Sequence, residues 1–553
     1  MCQVHTADTN NSHMRTKSDL RSTIFRHLDG IVTAPTAYSL YKHGVLGHLL
    51  KHSESRVSEL ARQFKANEGY LNVALRVLCS QGWLEMEADT DANDVIYRVN
   101  SKSAHAFNLV PLYEDVVDLI QFSGRFHSRR FDMEPYLVWE KVLSKYRTRF
   151  GLKPASDETE LELQDQVLKH IEGVLAGPTI VLMGMGGMFH KYFMETRFSP
   201  DEFHENPTQF KIILDFFSDL GWFTKHNGNY QFTDVGFYFA KRATSYGVTV
   251  SYLPTFRALD DLIFGNPMIL KGLNEAGNER HVDREMNVWG SGGAHAGYFS
   301  VIDEIIVDVF NRPIHEQPKG ILDMGCGNGA FLEHLFDVIF RQTKRGKMLD
   351  DHPLFLVGAD YNEAALKVTR ANLIRADIWA KVIWGDIGRP DLLARDLSEN
   401  YSIELSDLLN VRTFLDHNRV WSDPVVRTPG RRSESTGAFA SKGIRLRNED
   451  VEENLREHLA KWMPYVSKHG LLIIELHTID PTLTASNIGK TAATAYDATH
   501  GFSDQYIVEL GVFEKMVSEV GLFSDAKVSR KFPDSALATV SVHLLKGTNE
   551  KLT

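Results

Sequence analysis

The chain has 553 residues, 43% of them hydrophobic and 24% charged, with 61 Lys and Arg against 72 Asp and Glu and a net charge of −11. That length exceeds a single core and implies about two to four domains, and the acidic balance argues against bulk affinity for nucleic acid and gives no reason to expect a membrane surface as partner. No apolar run approaches the ~18 residues of a membrane span, and three cysteines, Cys2, Cys79 and Cys326, fit a reduced cytosolic protein without a disulfide framework or a cysteine-based zinc site.

Residues 1–20, MCQVHTADTNNSHMRTKSDL, are polar, lack an apolar signal core and read as a disordered tail. Apolar positions recur at three- and four-residue spacing from 21 to 60, which predicts helices. The following VSELARQFKANEGYLNVALRVLCSQGWLEMEADTDANDVIYRVN reads as two helices and a wing-like hairpin, a winged helix-turn-helix. The pattern returns in NPTQFKIILDFFSDLGWFTKHNGNYQFTDVG at 206–236, with GWLEM and GWFTK at matching places, so an internal duplication is expected. A DNA reader needs a basic recognition helix. The counterparts here, NEGYLNVALRVLCSQ and FKIILDFFSDL, are neutral to acidic and apolar, so dimerisation or a substrate-covering role is expected in place of nucleic-acid binding. The helical part divides into 21–165, a first winged-helix-like domain, and 166–300, a second unit with a helical lid.

From 301 to 553 short apolar runs alternate with helical stretches: GILDM, LFLVGAD, KVIWGD, ELSDLLNV and GLLIIEL, each ending near a polar or acidic residue, then SALATVSVHLLK. The order predicts an α/β fold with a doubly wound, Rossmann-like parallel sheet. Between the fourth and fifth runs, residues 421–447 are rich in Arg, Ser and Gly and read as a mobile insertion.

The stretch KGILDMGCGNGA carries Asp323 at the tip of the first strand, followed by Gly325, Gly327 and Gly329. The glycines remove Cβ atoms where a ligand lies against backbone, and Gly325, Gly327 and Ala330 would also satisfy a dinucleotide pattern. Three surrounding acids decide between the two ligands, and the first is Asp323, whose carboxylate repels a pyrophosphate and accepts a cation. Asp360, followed by Tyr361 at the end of the second strand, suits the ribose hydroxyls, and Asp386 with Ile387 after the third suits the adenine amino group and ring. Three acids in register favour S-adenosylmethionine, which carries an ammonium and a sulfonium and no phosphate.

DMGCGNG resembles the first motif of class I methyltransferases, over about 250 residues, and the winged-helix region resembles the dimerisation domain of small-molecule O-methyltransferases. That family comparison places Asn410 and Val411 after the fourth strand, near the methionine part of the cofactor. Simple O-methyltransferases carry a His-Asp pair there; this chain has NVRTFLDHNRVW, with Asp416 and His417 in reversed order. His477 ends the fifth strand, and His500, Asp504 and Gln505 follow in THGFSDQY. Two or three histidines with an amide or carboxylate above a parallel sheet suit a divalent or ferric ion with open positions; without HxH or HxxxH spacing, the same residues also read as hydrogen-bonding substrate or one another.

The strings WGSGGAHAGYF, RTFLDHNR and ATAYDATHGFSDQYIVE resemble segments of the methyltransferases of polyketide loading modules, of apratoxin type. That resemblance implies a metal-assisted C-methyltransferase acting on the α-carbon of a malonyl or β-keto acyl group, free or on an acyl carrier protein, with iron or manganese. His500 and Gln505 are then the expected ligands, His417 the third, and Asp416 or His477 an orienting group or base; His295 and Tyr298 are placed to close the pocket. The competing readings are a metal-free O-methyltransferase using His417 or His500 as base, a C-methyltransferase of free α-keto acids, and a winged-helix regulator that binds S-adenosylmethionine without turnover. Members of that group are embedded in megasynthases, so a chain that begins at Met1 without a carrier domain is expected to act in trans or to be an excised segment.

Overall fold

The computed structural model describes residues 16–547 apart from 90–92, 123–124, 126–127, 194–195 and 276, together with the backbone but not the side chains of 293–296. Most of the tail expected over 1–20 lies outside the described residues. Its end is helical: α1, Lys17–Lys42, starts where Thr16 and Asp19 form a reciprocal capping box, which satisfies two N-terminal amides.

Helix α1 packs along α3, Glu158–Met185. The two backbones touch at a pair of reciprocal glycines: a Cβ on Gly30 would stand 2.3 Å from His170 Cα, and one on Gly173 would stand 2.5 Å from the His27 carbonyl oxygen. Each histidine lies opposite the other helix's glycine. His27 bonds Glu172 and Tyr246, both at 2.8 Å. By length and composition α3 passes as a membrane span, against the expectation from sequence, but 78% of its apolar window is buried inside the protein, which makes it a core helix. It also runs unbroken across the expected boundary at 165/166, as α5, Arg284–Asn311, runs across that at 300/301.

The two winged-helix units share a local device. Helix α2, Glu68–Ser80, and helix α4, Pro207–Asp219, each end at a Gly-Trp pair. Gly82 and Gly221 adopt φ of 75° and 85°, and the Trp83 and Trp222 amides donate back to Leu78 and Phe217. This is the left-handed helix stop that glycine permits, and it drives a buried tryptophan beneath each hairpin, Leu84–Asp89 with Asp94–Val99 and Phe223–His226 with Asn229–Phe232.

The C-terminal half is built on strands β1 (Gly320–Met324), β2 (Phe355–Asp360), β3 (Lys381–Trp384), β4 (Leu408–Thr413), β5 (Leu471–Leu476), β6 (Leu522–Ser524), β7 (Arg530–Phe532) and β8 (Val540–Gly547). The order across the sheet is β6-β8-β5-β4-β1-β2-β3, with β7 also paired to β8. Strands β1 to β5 are mutually parallel and β8 is antiparallel to β5. The parallel strands therefore deliver their carboxyl ends to one edge of the sheet, where ligands of such folds collect.

The insertion at 421–447 makes ion pairs and backbone contacts with the rest of the protein. Arg431 pairs with Glu453 at 2.8 Å and Glu519 at 2.5 Å, Arg427 with Asp450 at 2.7 Å, and the hairpin Ala440–Ser441 with Ile444–Arg445 lies on α2, where the Gly69 amide donates to Gly443. Arg427 and Arg431 thus meet acids of α7, Asn448–Val466, while Arg445 pairs with Glu68 of α2 at 2.6 Å.

Candidate active site

The glycine turn follows β1 directly. Gly325, Gly327 and Gly329 have φ of 80°, 55° and 80°, a left-handed run that side chains resist. A Cβ on Gly325 would meet Leu415 at 2.9 Å and one on Gly329 would meet Thr369 at 3.0 Å, whereas one on Gly327 meets nothing nearer than 4.0 Å. Packing explains the first and third glycines but not the second, where the free space leaves room for a ligand against the backbone. Asp323, near the end of β1 just before the turn, is fully buried, and its Oδ2 has no hydrogen-bond partner among the described residues. Burial pushes its carboxyl up to about 7, with the Asp360 charge adding to the shift. An unpartnered buried carboxyl of this kind fits a cationic ligand.

Asp360 ends β2 as expected and already serves the turn, accepting from the Gly327 amide at 3.0 Å and the Asn362 amide at 2.8 Å. Tyr361 is exposed beside Trp384, ring centroids 5.6 Å apart. Asp386, just beyond β3, accepts from the Gly388 amide at 2.7 Å, and Ile387 packs on the adjoining core. Asn410 and Val411 are displaced from the expected position: they lie inside β4, not after it. Val411 is fully buried, and Asn410 is held by the Leu408 carbonyl at 3.3 Å. The residue that reaches the glycine turn from β4 is Leu415, five positions beyond Asn410.

The loop after β4 sits between that turn and α8, Ala493–Gly501. Here His417 Nδ1 donates to Glu475 Oε1 at 2.5 Å, and the His417 amide donates to the other carboxylate oxygen at 3.3 Å. Glu475 is the acid inside β5 that sequence reasoning missed; a lone carboxylate in the apolar run LLIIEL was its signal, since a buried charge requires a partner. The ring of His500 stands 5.0 Å from that of His417, centroid to centroid and nearly perpendicular. His500 Nδ1 donates to the Tyr496 carbonyl at 2.8 Å, so both imidazoles keep Nε2 as the free lone pair. Burial, with His417 adding to it, pulls His500 down to about 3 and keeps it neutral.

Gln505 is buried beside them: its amide nitrogen donates to the Tyr252 hydroxyl at 3.1 Å and its backbone to the His500 carbonyl at 3.0 Å, leaving Oε1 as its available oxygen. The neutral imidazole of His500 and the amide oxygen of Gln505, with the His417 ring beside them, are donor chemistry that suits a divalent ion with open positions. Among the described residues no three His, Cys, Asp or Glu side chains form a metal-binding group. Asp504 belongs elsewhere, held by Tyr70 at 2.7 Å and Lys271 at 2.5 Å.

Two expected catalytic residues fall outside this group. Asp416 points into the protein, pairing with Arg412 at 2.6 Å and His458 at 2.9 Å. Burial alone would raise its carboxyl, but Arg412, with His458 and Arg419, outweighs it and holds it at about 2. Arg412 in turn lies over the Trp462 ring at 4.1 Å. His477 is fully buried between the Val508 carbonyl, 3.1 Å from Nδ1, and the Ser541 hydroxyl, 2.7 Å from Nε2. Burial pulls it down to about 3; it is a satisfied core residue. Tyr298 packs edge-on against Phe414 and Phe532, capping the loop that carries His417. The side chain of His295, the other expected closing residue, lies outside the described residues.

Three family models match in succession: the AprA N-terminal domain over residues 20–86, the AprA winged helix domain over 172–266 and the AprA MT2-like domain over 279–543. The chain belongs to the AprA-type S-adenosylmethionine-dependent methyltransferases. The match to the AprA MT2-like domain thus spans both the glycine turn and the His417–Glu475 pair, and S-adenosylmethionine is the cofactor of the family. No curated protein sequence matches the chain. Similar solved structures include the mitomycin 7-O-methyltransferase MmcR, at 10% identity and a TM-score of 0.41 over 70% of this chain and 98% of that one. The methyltransferase SibL in its apo form follows at 15% and 0.37 over 68% and 96%. An O-methyltransferase family protein from Burkholderia thailandensis gives 12% and 0.36 over 67% and 94%.

Proposed function

We infer that this AprA-type methyltransferase methylates the α-carbon of a malonyl or β-keto acyl group, free or carrier-bound. The observation that carries the reading is the His417–Glu475 pair one loop away from the cofactor turn. A carbon next to a carbonyl becomes nucleophilic only after losing a proton. Glu475 holds the Nδ1–H tautomer of His417, so Nε2 is the proton acceptor. The C–H electron pair passes to the carbonyl as an enolate, the α-carbon then attacks the sulfonium methyl in line, and the S–CH3 pair returns to sulfur to give S-adenosylhomocysteine. The proton rests on His417. Neutral, buried His500 and the Tyr298 cap keep water from competing for the methyl group.

His500 and Gln505 are the residues that would hold an iron or manganese ion, which as a Lewis acid would stabilise the enolate of a chelating 1,3-dicarbonyl, while the Nε2 lone pair of His417 beside them is kept for the proton. A second reading, O-methylation of a hydroxylated natural product, draws on the same pair, because a histidine held by a carboxylate deprotonates a hydroxyl equally well. Incubation with S-adenosylmethionine carrying a 13C methyl, offered malonyl and β-keto thioesters in parallel with phenols, tests the assignment. A new carbon-bound methyl resonance supports it; a methoxy resonance from the phenols alone overturns it.

A further inference from the structure

The helix that a winged-helix regulator would lay in a DNA groove is covered in this protein. Every residue of α2 from Gly69 to Ser80 is buried, and α2 packs on α8, the helix that carries His500. The approach is close: a Cβ on Gly501 would meet Val73 at 2.8 Å. From the middle of α2, Arg76 crosses into the methyltransferase half. Its Nη2 donates to the Thr478 hydroxyl and to the Ile479 carbonyl, both at 2.8 Å, and stands 3.2 Å from Asp497 Oδ2. Thr478 closes the set by donating to Asp497 Oδ1 at 2.6 Å. One helical turn of α2 further on, Gln81 donates to Thr494 at 3.0 Å.

Thr478 and Ile479 follow β5, which contains Glu475, and Asp497 lies on α8 one turn before His500. Arg76 thus ties the two elements that carry the carboxylate and the second histidine. Its side chain is only 2% exposed, against 6% for Asp497, and Nη1 of the same guanidinium donates to the Thr436 hydroxyl at 3.5 Å, so the planar group is held at both nitrogens in a way one ammonium is not. The contact is absent from any account of the methyltransferase half alone, because the residue that makes it belongs to the other half.

We propose that Arg76 is a positioning residue for methyl transfer: the buried recognition helix of the first winged-helix unit sets the angle of α8, and with it His500, against β5. The assignment rests on His500 and Glu475 belonging to the reaction centre, as inferred above. It gives the N-terminal half a defined task, holding a reaction centre that the sheet alone leaves incomplete on one side.

The test uses the full chain and two readouts. In Arg76→Lys and in the charge-balanced pair Arg76→Met with Asp497→Asn, amide exchange over residues 493–505 should quicken about tenfold or more while the second winged-helix hairpin stays as in the wild type. Binding of S-adenosylhomocysteine should be unchanged, since its strands are untouched, and kcat should fall about 10- to 100-fold with KM nearly constant, the scale of a small misplacement. The balanced pair should recover Tm relative to Arg76→Ala without recovering kcat. Wild-type exchange over 493–505, or wild-type kcat in the balanced pair, overturns the proposal. If wild-type protein methylates none of the acceptors, the functional reading fails while the exchange result still decides the role of Arg76.

Discussion

Glu475 and His417 are joined across the gap between β5 and the loop after β4, a carboxylate oxygen 2.5 Å from Nδ1 with the second oxygen 3.3 Å from the same residue's amide. Both partners are almost wholly buried, so the pair is held by its surroundings and sheltered from salt. Its chemical consequence is a single imidazole tautomer, with the proton on Nδ1 and the lone pair on Nε2.

The first prediction follows from that tautomer. Glu475→Gln keeps the shape but offers an amide that can donate to Nδ1 and reverse the tautomer. Turnover should fall about 10²- to 10⁴-fold, the range of a lost general base, while S-adenosylhomocysteine affinity by calorimetry stays at the wild-type value. Equal losses in both would place Glu475 in the cofactor site instead.

Asp323 predicts a pH signature. Its carboxyl, raised to about 7 by burial, is largely protonated below neutrality, and a bound cation favours the carboxylate. Affinity for S-adenosylmethionine should therefore rise with pH through about 7, with up to one proton released on binding. Calorimetry in two buffers of different ionisation enthalpy measures that proton, and Asp323→Asn should abolish the dependence.

The three glycines should separate by function. Gly325→Ala forces a Cβ against Leu415 and should destabilise the unliganded protein. Gly327→Ala meets open space, so it should cost only the ~1 kcal/mol of its left-handed backbone, yet weaken S-adenosylhomocysteine binding about tenfold or more. Thermal melts with and without ligand distinguish the two.

Asp416 predicts a change in stability rather than chemistry. Asp416→Ala leaves Arg412 buried without its counter-charge, a loss of about 3–5 kcal/mol, visible as a lowered urea midpoint. A carboxyl depressed to about 2 when folded contributes stability that is complete above the ordinary carboxylate range and is lost as pH falls through about 2. The variant should therefore lose the most relative to wild type near neutrality and the least in strong acid.

The ion has its own check. Metal analysis of purified protein should find iron or manganese near one per chain and its loss in His500→Ala. Neither metal in active wild-type protein, with turnover undiminished by a strong chelator, would assign His500 to substrate contact alone.

Much of this was legible in the sequence because strand ends and glycine turns are local features. Asp323, Asp360 and the turn fall where the pattern puts them, and both Gly-Trp stops mark real helix ends. Residues whose role depends on strand register were not legible. Asn410 and Val411 were displaced because the end of β4 lies at Thr413, and Asp416 and His417, adjacent in sequence, point to opposite environments. Glu475 was hidden inside an apolar strand, and nothing in the spacing shows that Arg76, some four hundred residues away, reaches its neighbourhood. The arginines of the insertion at 421–447 meet acids on α7, on α2 and at Glu519, which no local pattern pairs with them.

The most direct measurement of the central claim is the single-turnover rate of methyl transfer from preformed enzyme and S-adenosylmethionine, compared between wild type and His417→Ala with S-adenosylhomocysteine affinity measured alongside. The account predicts a carbon-methylated product, a rate lower by about 10²-fold or more in the variant, and equal affinities. Transfer at the wild-type rate without the His417 imidazole would contradict it.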